Sequence, residues 1–235
     1  MAVSAASPGW PGESAEYRAS RDALAKAEHD LARSIEAVAA QRRSLPPGGL
    51  VPVNYGFAEG PADLEKIGPE RPVTMEELFG PHETLLLYSF MYEGTGTPCR
   101  MCTSLIDGYD GAATDLASRV GFAIVAPAPL EQLRAYGLER RWYNVRLVSS
   151  ANTSYHRDYG GMQPDGELTS RMNVFSRRDG SMRHFYATEK GPSGSGQDDR
   201  HLDLLWTLWG ALDLTPKGRG EQWRPTRPAR RPYPA

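Results

Sequence analysis

Hydrophobic and polar positions fall into stretches of two different periods along this chain. Between residues 14 and 43 the apolar positions Tyr17, Leu24, Leu31, Ile35 and Val38 are separated by steps of seven, seven, four and three, one stripe along a helix. Ser14 stands where an N-cap belongs, and Leu45-Pro46-Pro47-Gly48-Gly49 ends the helix. Val51 to Phe57 predicts a short strand, and Met75 to Phe79 one helical turn. Within Glu83 to Tyr92, the run Leu85-Leu86-Leu87-Tyr88-Ser89-Phe90 predicts a strand buried on both faces, stopped by Gly94 and Gly96. Gly121 to Ala126 and Val145 to Ser150 predict two more strands. Between the cysteines and the first of these, Leu105, Tyr109, Ala112, Leu116 and Val120 keep helical spacing, and Leu130 to Glu139 predicts a further helix. Ala151 to Ser170 is polar, carries Gly160-Gly161 and predicts irregular chain. Met172 to Arg177 and Arg183 to Thr188 flank Asp179-Gly180, a hairpin signal. Asp198 to Leu212 predicts an apolar helix that puts Trp206 and Trp209 in the core.

Buried strands alternating with helices predict an α/β protein, a central mixed sheet with helices on both faces. The hairpin adds antiparallel strands at one edge. The expected organisation is a loose N-terminus over 1–13, a helical extension over 14–45, the sheet domain over 50–216, and an Arg/Pro-rich disordered tail over 217–235. The first helix falls outside the sheet domain and is a candidate homodimer contact.

Composition narrows the function. The chain has 235 residues, 40% hydrophobic and 24% charged, enough apolar material for a real core. A net charge of -2 leaves no global basic field, so neither nucleic acid nor an anionic membrane is an expected partner. No run of apolar residues is long enough to span a bilayer, and the first 14 residues lack the basic and apolar segments of a signal peptide. The expected location is the cytoplasm, where thiols stay reduced.

There are two cysteines, three positions apart, in Thr97-Pro98-Cys99-Arg100-Met101-Cys102-Thr103. They fall between a buried strand and an amphipathic helix, and that placement says more than the spacing. The first turn of a helix offers unpaired N–H groups and a partial positive charge. A thiolate at Cys99 would be stabilised there, with Arg100 beside it. Such sites bring a thiol from a pKa of about 8.5 to roughly 7 or below. Cys102, one turn on, would then be the resolving thiol for a catalytic pair acting on a small-molecule or protein disulfide, with no cofactor.

Other readings of the same residues stay open. Two inert buried cysteines are the bland one. A structural zinc site wants about four ligands, and no second cysteine pair or His-x-x-x-His is present. Two thiolates with one histidine would suit copper, Cu(I) or Cu(II), and His184 is the first candidate for the third ligand. His156 reads as a loop residue, and His29, His82 and His201 as structural or solvated. Asp107 and Asp110 follow the cysteines on the helix and are candidate proton acceptors for Cys102, or a solvated face.

An ordered set of segments carries a resemblance across about residues 15 to 220. It comprises Glu16-Tyr17-Arg18 through Arg42-Arg43, Val73-Thr74-Met75-Glu76-Glu77-Leu78-Phe79, Leu87-Tyr88-Ser89-Phe90-Met91, the cysteine motif, Asp107-Gly108-Tyr109-Asp110-Gly111, Trp142 with Val148-Ser149-Ser150, Asn173-Val174-Phe175, His184-Phe185-Tyr186-Ala187-Thr188 and Leu212-Asp213-Leu214-Thr215-Pro216. The chain resembles a bacterial thioredoxin-like family of unknown function, often labelled a dithiol-disulfide oxidoreductase or isomerase. The resemblance implies a thioredoxin-like fold and thiol redox activity at Cys99 and Cys102. It also brings the hairpin, and with it His184, toward the cysteine end of the sheet. A copper-dependent oxidase using Cys99, Cys102 and His184 is the alternative by analogy with copper sites on this fold. The chain departs from the pattern in having Arg100-Met101 between the cysteines, Pro98 before them, no proline at 168–172, and Thr188-Glu189-Lys190-Gly191 after the hairpin. These departures point toward specialisation for a small-molecule pathway.

Overall fold

The computed structural model describes residues 9–189, 205–220 and 225. The chain divides into two units, Met1–Pro46 and Pro47–Ala235. The first is built on α1 (Ala15–Arg43), capped as expected by the Ser14 hydroxyl, which accepts from the Tyr17 amide at 3.1 Å. Its stripe residues Tyr17, Leu24, Leu31, Ile35 and Val38 are exposed.

The second unit runs β1 (Gly56–Glu59), β2 (Arg71–Thr74), α2 (Met75–Leu78), β3 (Thr84–Ser89), α3 (Arg100–Ala117), β4 (Gly121–Ala126), α4 (Leu130–Arg140), β5 (Leu147–Ser149), α5 (Tyr155–Asp158), β6 (Arg171–Arg178), β7 (Ser181–Ala187) and α6 (Thr207–Asp213). Its seven strands form one mixed sheet in the order β2-β1-β5-β4-β3-β6-β7. β3, β4 and β5 run parallel, joined through α3 and α4, and β6 pairs antiparallel with β3 on the other side. The parallel β3–α3–β4 unit, the β6–β7 hairpin beside β3 and a closing helix together make the thioredoxin-like arrangement.

Alternation along the strands divides the core in two. Tyr88 and Phe90 from the central strand, with Phe122, Ile124 and Ala126 from β4, face α3, α4 and α6. Leu85 and Leu87, with Ala123, Val125 and Phe175, face the opposite way, toward α2, α5 and the aromatic residues Tyr55, Phe57 and Phe79. The second face is therefore covered by two single-turn helices and connecting chain. Among the described residues, no helix is long and apolar enough to cross a membrane.

Several expectations shift. The strand expected at 51–57 forms at Gly56–Glu59, and its partner β2 lies in what reads as a loop. Residues 151–170 are not wholly irregular, since α5 falls within them. The helix expected over 198–212 is described from Thr207 to Asp213, and most of its earlier part lies outside the described residues. The tail is anchored where it begins, because Arg219 pairs with Asp213 and stacks over the Trp209 ring at 4.6 Å. Beyond residue 220 only Pro225 of the expected tail is described, and most of the N-terminal segment 1–13 also lies outside the described residues.

Candidate active site

The central strand delivers the chain to the cysteines. After Phe90 the backbone leaves the sheet through a loop that returns at Cys99, where the Cys99 amide donates to the Met91 carbonyl at 3.2 Å and closes it. Gly94 sits at φ +91°, and a Cβ there would collide with Gln132 and Pro129, so the loop requires glycine. Helix α3 begins at Arg100. Cys99 is its N-cap, and the Cys99 sulfur accepts from the Cys102 amide at 3.4 Å. The sequence-based placement of the pair at a helix start therefore holds. Thr103 ties the first turn down, its hydroxyl bonding both the Cys99 carbonyl and the Tyr136 hydroxyl at 2.9 Å.

The two sulfurs occupy different environments. Both cysteines are thiols. Cys99 is half-buried and opens on a cleft of about 390 Å³ between the 91–97 loop and the turn at 163–168. Among the described residues, the charged side chains lining that cleft are Glu93 and Glu167. The turn is closed by Gly166, at φ +91°, whose amide donates to the Gln163 carbonyl at 3.0 Å. Cys102 is 2% exposed and packs in the core behind Cys99. Burial first, then the adjoining Cys99, push the Cys102 thiol well above the usual cysteine range, while Tyr88 and the Met91 backbone pull it down.

Sequence pattern marks Tyr88 as a core strand residue and nothing more. In the structure its hydroxyl neighbours Cys102 and Ser170, the residue just before β6. It is fully buried, and among the described residues its oxygen meets no partner in hydrogen-bond geometry. Such a group costs about 1–3 kcal/mol. Burial is the first cause, and charge on Cys102 the next, of a Tyr88 acidity far weaker than that of an ordinary tyrosine. The signal that could have found it is its place on the strand feeding the cysteine loop, on the face that α3 covers.

The other candidates go elsewhere. Asp107 accepts from Arg140 and from the Trp142 indole at 2.8 Å, and Asp110 accepts from the Asn144 and Val145 amides at 2.9 and 3.1 Å. Both fasten α3 to the chain at and after the end of α4 rather than serving Cys102. His184 does not join the cysteines. It opposes Phe175 across the hairpin and bonds Asn173 through Nε2 at 3.1 Å, on the sheet face turned away from Cys102. The reason is strand alternation, which sends residue 184 to the Phe175 side. The set Cys99, Cys102 and His184 is thus not assembled, and among the described residues no three His, Cys, Asp or Glu side chains group as a metal site. His156 is not a loop residue in solvent but is buried on α5, its Nδ1 bonded to the Ser150 hydroxyl at 2.7 Å, and burial lowers its pKa to about 4. His82 bonds the Ala117 carbonyl at 2.9 Å, His29 is exposed on α1, and His201 lies outside the described residues.

A family model described as "Bacterial protein of unknown function (DUF899)" matches residues 10–233. The chain belongs to the DUF899 family. No curated protein matches this DUF899 chain. Among solved structures, it is similar to a reduced 2-Cys peroxiredoxin of Plasmodium vivax, at 13% identity and a TM-score of 0.46 over 70% of this chain and 97% of the other. It is also similar to AhpC of Enterococcus faecalis, at 10% identity and a TM-score of 0.46 over 72% and 94%. A third similar structure is a cysteine-to-serine mutant of peroxiredoxin Q from Xanthomonas campestris, at 12% identity and a TM-score of 0.46 over 70% and 97%.

Proposed function

We propose that this DUF899 protein is a thiol-disulfide oxidoreductase in which Cys99 attacks and Cys102 resolves. The observation that carries the reading is the Cys99 sulfur at the N-cap of α3, accepting the Cys102 amide while facing the cleft. A thiolate there has a fixed donor and the positive end of an 18-residue helix behind it. Cys102 sits one turn in, on the closed side, where it can meet Cys99 but not the substrate.

Atoms and electrons balance over the cycle. The Cys99 thiolate attacks a substrate disulfide, forming a mixed disulfide and releasing one substrate thiolate, which takes a proton from solvent. Cys102 loses its proton and attacks the Cys99 sulfur, releasing the second substrate thiol. The substrate gains two electrons and the cysteine pair becomes a disulfide. An external dithiol then reduces that disulfide.

The test is turnover of bis(2-hydroxyethyl) disulfide with dithiothreitol as reductant. Cys99→Ser is expected to remove all protein-dependent turnover, and Cys102→Ser, mixed with the disulfide before dithiothreitol is added, to stop at the Cys99 mixed disulfide. Undiminished turnover by the Cys99→Ser protein would eliminate the reading.

A further inference from the structure

Among the described residues nothing bonds the Tyr88 hydroxyl, although it is sealed from water. Buried hydroxyls are normally paired, so one left over invites the question of which state supplies its partner. Its neighbours answer it. They are Ser170 and the sulfur-bearing side chain of Cys102, with Cys99 beyond it. A neutral thiol is a weak acceptor, whereas a thiolate is a strong one. The contact of the hydroxyl with Cys102 therefore strengthens when Cys102 becomes charged.

Cys102 needs such help. It lies in an apolar core with Ile106, Leu105 and Phe90, where a bare negative charge is poorly tolerated. The acidic groups nearest on its own helix are committed elsewhere, Asp107 to Arg140 and Trp142, and Asp110 to the 144–145 backbone. Among the described residues, the titratable groups that meet Cys102 are Tyr88 from β3 and Cys99 from the helix start. In the mixed disulfide Cys99 carries no charge, which leaves Tyr88 as the side-chain donor beside the Met91 backbone.

We propose that Tyr88 donates a hydrogen bond to the Cys102 thiolate in the resolving step and so speeds the closure of the Cys99–Cys102 disulfide. The inference rests on the dithiol reading above. Tyr88 keeps its own proton throughout. The proton from Cys102 leaves with the departing substrate sulfur, the new bond joins Cys102 to Cys99, and the bond from Cys99 to the substrate breaks. Because a thiolate is a far stronger acceptor than a thiol, the hydroxyl is worth more to Cys102 once its proton has gone, and the interaction favours the charged attacking state over the resting one.

Single-turnover measurements on the full chain with bis(2-hydroxyethyl) disulfide separate the two steps, with mass spectrometry following the Cys99 mixed disulfide. In Tyr88→Phe, formation of the mixed disulfide is expected within about twofold of wild type, and its resolution about tenfold slower. The pH profile of resolution should also move up by about one unit, a change that loosened packing alone would not produce. Resolution with unchanged rate and unchanged profile in folded Tyr88→Phe would overturn the proposal. If that variant does not fold, 3-fluorotyrosine at position 88 keeps the ring and strengthens the donor. Faster resolution supports the proposal, and an unchanged rate overturns it. Failure to form any mixed disulfide at Cys99, even in wild type, would instead remove the dithiol reading and this inference with it.

Discussion

The Cys102 amide donates to the sulfur of Cys99 across the first turn of α3, at 3.4 Å, so the residue proposed to resolve also supplies a hydrogen bond to the residue proposed to attack. One short segment thereby makes two unlike sulfurs. Cys99 has a donor and an opening, whereas Cys102 has burial and a thiol pushed well above the usual range. Reagents should sense this directly. Iodoacetamide at pH 7 is expected to label Cys99 at least about tenfold faster than Cys102. Labelling of Cys102 should rise only at pH well beyond the ordinary thiol value of about 8.5, because its charged form is the one that burial disfavours. Peptide mass mapping after timed labelling reads both rates, and equal rates at pH 7 would contradict the assignment of roles.

Two carboxylates border the cleft at Cys99. Glu93 and Glu167 line it on opposite segments, one on the loop before the cysteines and one on the turn at 163–168. Both are exposed, so their effect is long-range and screened rather than a tight ion pair. Cystamine, a dication, is expected to show a kcat/KM about tenfold above that of the dianion 3,3′-dithiodipropionate at low salt. In the Glu93→Gln/Glu167→Gln double variant, or in about 0.5 M salt, the preference should shrink toward unity. A preference for the dianion would reverse this assignment.

How much of this was legible beforehand depended on whether a neighbour in sequence or a neighbour in space decided it. The strands β3 and β4 are continuous apolar runs, and the Asp179-Gly180 turn closes a local hairpin, so all three could be read from adjacent residues. β2 could not. Arg71 and Pro72 argue against a strand, and it exists because it pairs with β1 at the sheet edge, where a proline is tolerated. The placement of the cysteine pair at a helix start was legible because it is local to one helix turn. His184 looked equally promising, but one residue of strand alternation sends it to the other face. Tyr88 and Ser170 are 82 positions apart, and the pairing of β3 with β6 brings Ser170 to the Tyr88 hydroxyl. Nothing in either residue's own surroundings announces that.

Asp110 separates structure from chemistry on the same helix. It is 8% exposed and accepts three hydrogen bonds, from the amides of Asn144 and Val145 and from the Asn144 side chain. Asp110→Ala would leave those amides without an acceptor beside α3, a loss of about 3 kcal/mol in unfolding free energy. The resolving step should proceed at its normal rate at temperatures where the variant is folded. Urea melts and single-turnover kinetics check the two halves. A resolving step slowed in proportion to the lost stability would return Asp110 to the catalytic machinery.

The strongest pH dependence of stability should come from the other face of the sheet. His156 is 3% exposed, and its Nδ1 is bonded to Ser150. Its Nε2 is buried with no partner among the described residues, next to a Gly161 whose missing Cβ would meet both the imidazole and the Ser89 hydroxyl. An added proton would place a charge in that enclosure, which is why burial lowers the histidine pKa to about 4 from its ordinary 6.5. A folded value below the unfolded one stabilises the fold fully above pH 6.5, and the contribution is lost as pH falls from there through about 4. The magnitude is about 3 kcal/mol between pH 7 and pH 4. His156→Phe keeps a ring in the cavity and removes the titration. Its unfolding free energy, from urea titrations at about pH 7, 5.5 and 4, should therefore fall by about 3 kcal/mol less than that of the wild type over the same interval. Parallel curves for the two proteins would mean that the imidazole finds a way to carry its charge inside the fold, and that the pocket formed by Ser89, Ser150 and Gly161 is wetter or looser than its burial implies.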